Sequence, residues 1–156
     1  MNRPRLVPRP KSAAPGLSFV APRPALTGEP GERIAECVDA RVQRRGNKTQ
    51  VVLTLDTDDG QVGRMWIDVP EPLTSTCRYM RLVTLALGRP PAAGEPIHPE
   101  SQGLFHGRRF RVLVGWRKSQ RDARGKHRFD EALALEGPKD PGHFLRVHDL
   151  LARVDP

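Results

Sequence analysis

From residue 31 onward, apolar and polar positions alternate with a period near two. In ERIAECVDARV (32–42) the apolar set is Ile34, Val38, Ala40 and Val42, with Glu36 breaking the run, and this predicts a first β-strand. The next stretch, RRGNK, holds Gly46 and Asn47, the residue types best suited to the positive φ angles of a tight hairpin. QVVLTLD then places Val51, Leu53 and Leu55 on one face, and after the Asp-Gly turn of TDDGQ, VGRMWIDV puts Met65, Ile67 and Val69 inward. Three strands with two short turns predict an antiparallel meander.

The period then changes. Pro70 and Pro72 close the third strand, and TSTCRYMRLVTLALG (74–88) carries Tyr79, Leu82, Val83 and Ala86 at helical spacing. Thr74 or Ser75 is the expected cap and Gly88 the expected stop. After the proline-rich RPPAAGEPIHPESQ, alternation returns in RRFRVLVGW, with Phe110, Val112, Val114 and Trp116 facing inward. RFDEALALE offers a fifth strand through Phe129, Leu133 and Leu135. HFLRVHDLLARV, with Phe144, Val147 and Leu151 at spacings of three and four, predicts a short amphipathic C-terminal helix. The fold class expected is mainly β: five antiparallel strands with a helix between strands 3 and 4, plus that short C-terminal helix. This is the element order of an OB-fold-like barrel. It divides the chain into an arm at 1–30, an OB-fold-like domain at 31–137, and a C-terminal helix at 138–156 packed on the domain or extending it.

The arm stands apart by composition. Pro4, Pro8, Pro10, Pro15, Pro22, Pro24 and Pro30 forbid regular helix and remove ladder donors, and few large apolar residues are present to offset the entropy of ordering it. It is expected to be a disordered Pro/Arg-rich tether. LVPRP and VAPRP within it also have the form of a polyproline docking motif for a protein partner. No apolar run approaches the roughly 20 residues of a membrane-spanning helix, and prolines interrupt any signal-like core, so a cytoplasmic protein with no membrane association is expected. Cys37 and Cys77 lie far apart and read as ordinary reduced thiols.

Chemistry-bearing constellations are missing from the pattern. His143 and His148 are five apart, not the four that stack two ligands on one helix face; no phosphate-cradling glycine motif is present. Asp56, Asp58 and Asp59 in DTDDG fit the chemistry of a hairpin turn better than that of a calcium loop, whose closing glutamate is absent. No cofactor, no metal and no catalytic activity are expected.

Charge is what remains. The chain has 156 residues, with 26 Lys and Arg against 18 Asp and Glu, a formal net charge of +8; such a balance favours anionic partners. Alternation turns Arg109, Arg111 and Arg117 outward on strand 4, and Arg64 and Trp66 outward on strand 3. Arg44, Arg45 and Lys48 flank the first hairpin. Lys118, Arg121, Arg124, Lys126 and Arg128 crowd GWRKSQRDARGKHRF (115–129), opposed only by Asp122. An OB-fold binds across strands 2 and 3, flanked by the loops joining strands 1–2 and 4–5, where these cations cluster. Trp66 has two readings: a base-stacking platform, or a ring covered by the proline-rich loop or the terminal helix. Trp116 reads as core.

The stretch GERIAECVDARVQRRGNKTQVVLTLDTDDGQVGRMWIDV, the helix ending LALGRP, and FHGRRFRVLVG resemble a family of small phage and mobile-element proteins similar to single-stranded-DNA-binding proteins, associated with recombination and replication genes. The likeness spans about residues 31–118 and rests on VDARV, GNK, the DG turn, LG and GRRFRV. It implies an OB-like fold and binding of single-stranded nucleic acid, DNA favoured over RNA. The expected function is therefore non-enzymatic single-strand binding, with homo-oligomerisation allowed. The alternative is an adaptor, inhibitor or ribonucleoprotein subunit that uses the same basic face on a protein or RNA-containing complex.

Overall fold

The computed structural model describes residues 21–118, 135 and 143–155. In chain order the elements are β1 (Gly31–Arg45), β2 (Lys48–Thr57), β3 (Val62–Val69), α1 (Arg78–Leu87), β4 (Arg109–Lys118) and β5 (His143–Arg153). Mainly β, they form one open antiparallel sheet in the order β3-β2-β1-β4-β5, with the short helix α1 between β3 and β4 in the chain. The first turn forms where expected: Arg45 pairs with Lys48, and Gly46 between them adopts φ 63°, a conformation that costs a residue with a Cβ. The sheet curls until its two edge strands approach each other. Gly63 of β3 lies beside Val147 of β5, giving the sheet a barrel-like closure.

Inside lie the side chains that the alternation selects. Val51, Leu53, Leu55, Met65, Ile67, Phe110, Val112 and Val114 are all essentially inaccessible, and Trp116 packs on this core from its edge. Tyr79, Leu82, Val83 and Ala86 form the buried stripe of α1 and join the same core as the inward strand residues. Gly88 ends α1 in the left-handed conformation and donates its N–H to the Thr84 carbonyl, a common way to satisfy a terminal carbonyl. The helix starts later than expected: Cys77, not Thr74 or Ser75, is the N-terminal flanking residue, and it supplies no side-chain cap.

Two expectations need correction. In β1 the buried residues are Ala35, Cys37 and Ala40, while Ile34 and Val38 are only half-buried. The register slips between Cys37 and Asp39; Val38 is the extra residue of a β-bulge, which resets the inward parity. The C-terminal helix at 138–156 is replaced by a strand, since His143–Arg153 is β5, paired antiparallel along β4. Two register shifts, opposite Arg111/Val112 and Leu113/Val114, leave Leu145, Val147 and Leu150 buried at spacings of two and three. That irregular spacing imitates helical periodicity. The fifth strand expected at RFDEALALE lies outside the described residues, apart from Leu135, which is helical and exposed.

The arm also ends earlier than its composition suggests. Residues 21–30 run against β3: Val62 donates to the Pro24 carbonyl at 2.9 Å, Ala25 bridges Val62, and Leu26 is buried. Arg33 secures this segment by donating to the side-chain oxygen of Gln61 at 2.7 Å, the Thr27 carbonyl at 2.7 Å and the Glu29 carbonyl at 3.0 Å. Leu26 fits because Gly63 has no side chain. A Cβ there would stand 2.7 Å from Leu26 Cδ1 and 3.0 Å from Val147 Cγ2, closer than packed carbon atoms tolerate. Gly63→Ala is therefore expected to destabilise the fold by about 1–3 kcal/mol, the usual cost of overpacking. In chemical denaturation the double variant Gly63→Ala/Leu26→Ala should lose less than the sum of the two single losses.

Candidate functional site

The cations expected on the outer face sort into two groups. Several are neutralised across the sheet. Arg109 Nη2 meets both carboxylate oxygens of Asp58, at 3.0 and 2.7 Å; Arg111 meets Glu32 at 3.0 Å, and Lys48 meets Asp68 at 3.3 Å. Arg44 donates to the Thr49 hydroxyl at 3.0 Å. The aspartates of the DTDDG turn are claimed in the same way, Asp56 by Arg23 at 3.0 Å and Asp59 by Arg33 at 3.6 Å. Among the described residues no group of three or more His, Cys, Asp or Glu is placed to hold a metal. Arg45 and Arg64 are exposed and have no carboxylate partner among the described residues. Arg121, Arg124, Lys126 and Arg128 lie outside the described residues. Lys118 is described by its backbone, which pairs with His143.

A second group gathers where β3 and β5 meet. A cleft of about 390 Å³ opens there, lined by Trp66 of β3, Arg78 and Arg81 of α1, Leu113 and Arg117 of β4, and Arg146, Val147, His148 and Asp149 of β5. The alternation of β3 buries Met65 and Ile67 and turns Trp66 outward, as expected. The Arg146 guanidinium lies over it, 4.1 Å from the ring centroid, and 5.2 Å from the centroid of Phe144. Such cation–π contacts contribute about 0.5–2 kcal/mol, more as the cation loses water. Arg78 works on the backbone: one nitrogen donates to the Trp66 carbonyl at 3.4 Å and another to the His148 carbonyl, joining the two strand edges. Arg81 donates to Asp149 at 2.8 Å.

The electrostatics of this cleft are one-sided. Arg78, Arg81 and Arg146 line the cleft with one carboxylate, Asp149, while Asp68 acts on Arg78 from outside it and Arg117 adds its charge beside Arg146. Burial pulls Arg146 down to about 10, with repulsion from Arg117 contributing. Burial also lowers Arg117, and lowers Arg78 against the opposing pull of Asp149. His148 is pushed down to about 4, mainly by burial and further by the charges of Arg117 and Arg146, while hydrogen bonds with the Trp116 and Gly115 backbone oppose the shift. At neutral pH it is an uncharged imidazole. What the arrangement offers chemically is guanidinium donors and an aromatic face, which bind anions and flat π-systems.

Of the expected residues, Trp66 and Arg117 enter this cleft. Arg78, Arg81, Arg146 and Asp149 escaped the sequence reading, which places Phe144 on a C-terminal helix and weighs His148 only as a metal ligand. The signal for β5 was present in FLRVH, where Phe144, Arg146 and His148 alternate with Leu145 and Val147, but the bulges hid its continuation. For α1 the signal was Arg78 and Arg81, three apart on the polar side of the buried stripe.

Searches of protein-family models and of curated proteins find no match to this chain. Among the described residues no helix is long and apolar enough to cross a membrane.

The depressed pKa of His148 fixes a direction for acid sensitivity. The unfolded chain takes up a proton near pH 6.5 that the folded chain refuses until about pH 4, so this residue costs stability as pH falls between those values and nothing above them. Thermal melting across pH 4–7 should show a smaller acid-side decline for His148→Gln than for the unsubstituted protein.

Proposed function

We propose that this chain is a non-enzymatic single-stranded nucleic-acid-binding protein built on an OB-fold-like barrel. The sheet order, with β5 returning against β3 and α1 lying between β3 and β4 in the chain, supports the barrel assignment. In such barrels the strand 2–3 face and its flanking loops bind oligonucleotides. The observation that carries the functional reading is the outward Trp66 stacked under Arg146, in a cleft whose guanidinium groups outnumber its carboxylate. An aromatic ring accepts any base on its π-face, and arginine beside it meets the phosphate or stacks in turn. Arg45 and Arg64, exposed near this face, extend the positive path along β1 and β3. DNA is favoured over RNA by the resemblance to phage and mobile-element single-strand binders.

Binding of this kind weakens steeply with salt, because each neutralised phosphate releases counterions. Fluorescence anisotropy with labelled oligo-dT, oligo-rU and duplex DNA at two salt concentrations is the test. Single strands are expected to bind more tightly than duplex, with a salt-dependent affinity. Trp66→Ala is expected to weaken single-strand binding by about five- to a hundredfold, the range for loss of one stacked base. Salt-sensitive binding that is indifferent both to strandedness and to Trp66→Ala would instead favour a charge-only surface for an acidic protein or a structured RNA.

A further inference from the structure

Arg146 is a half-buried cation whose donors are unspent. It contacts two ring faces and makes no hydrogen bond to a described residue, although a guanidinium carries five N–H donors. Arg78 and Arg81 each commit part of their fork: Arg78 to two carbonyls and Arg81 to Asp149. Even with Arg117 left aside, these three cations line the cleft with one carboxylate, Asp149; Asp68 also acts on Arg78 but is paired with Lys48, so about two charges remain in excess at the cleft. Guanidinium groups crowded in this way repel one another and lose hydration, and an entering anion relieves both penalties.

We propose that the cleft binds a phosphate monoester, held between Arg78 and Arg81 of α1 and Arg146 of β5; the assignment rests on the nucleic-acid reading above. A monoester carries about −1.5 to −2 charges at neutral pH, which matches that excess, whereas an internal phosphodiester carries one. The volume of about 390 Å³ falls in the range of roughly 300–1,000 Å³ typical of small-molecule sites. Trp66, on the cleft wall, gives the attached base a ring to stack on. The shared chemistry has two sources, the terminal phosphate of a strand and a free nucleotide. A strand end would make the protein a reader of phosphorylated termini as well as of single strands.

Competition against a labelled oligo-dT, using the full chain, separates these. The competitors are unlabelled oligo-dT with a 5′-phosphate, with a 3′-phosphate or with hydroxyls at both ends, together with thymidine monophosphate and inorganic phosphate. One phosphorylated end is expected to compete about tenfold better than the hydroxyl-ended strand, the scale of one charge-assisted hydrogen bond. Arg81→Gln should bring that ratio close to one, and Arg81→Lys, which keeps the charge but loses the planar fork, should leave it intermediate. Equal competition by all three oligonucleotides overturns the monoester site and leaves the single-strand reading standing. Binding of thymidine monophosphate or inorganic phosphate, measured directly by titration calorimetry, without any oligonucleotide binding assigns the cleft to free nucleotides and overturns the strand reading. An undiminished ratio in either Arg81 variant, in protein with a normal melting curve, places the phosphate elsewhere and overturns the assignment. No binding of any probe overturns both readings.

Discussion

An open sheet that curls on itself must do something with its two edges, and here one arginine does much of it. The strand order leaves β3 and β5 as edge strands with backbone groups that no ladder completes. Arg78, at the first turn of α1, donates to the Trp66 carbonyl on one edge and the His148 carbonyl on the other. A guanidinium suits the task because its donors spread in a rigid plane and stay charged at any physiological pH. The helix is thereby fixed to the seam, and Arg81, one turn further on, is fixed to Asp149. The candidate site follows from this closure, for the same joint that finishes the fold concentrates positive charge.

Net charge alone would not have located that joint. Much of the basic surface legible in the sequence is spent internally: Arg109, Arg111 and Lys48 each face a carboxylate across the sheet, and Arg23 and Arg33 occupy the acidic turn. The pairs of Arg109, Arg111 and Lys48 are exposed, and such pairs contribute at most about 1 kcal/mol each; their main effect is to cancel potential locally. Among the described residues, excess positive charge gathers at the β3–β5 seam, whose lining residues are separated by up to 83 positions in the chain, from Trp66 to Asp149.

What the sequence made legible follows from regular periodicity. Val51, Leu53 and Leu55, the Gly46 turn, the stripe from Tyr79 to Ala86 and the Gly88 stop all obey one period without interruption, and all appear where the pattern places them. Bulges account for the errors. At Val38 one extra residue exchanges the inner and outer faces of β1. In β5 two such slips turn a strand into an apparent helix, hiding Arg146 and His148 from any parity argument. The burial of Leu26 was illegible for another reason, since it depends on the absence of a side chain at Gly63, a residue far along the chain.

The central place of β1 bears on how the molecule assembles. Its partner β2 follows after a two-residue turn, whereas its other partner, β4, joins Gly31 to Val114. Local pairings form early and distant ones wait for the entropy of loop closure to be met. The meander of β1, β2 and β3 is therefore the natural first unit. The seam between β3 and β5 closes only after β4 has docked and β5 has added to it. Joined by side chains in place of a ladder, it belongs to the low-stability end of the molecule's opening motions. A ligand that spans the seam recognises the closed barrel alone, and by mass action it holds shut the last part of the protein to form.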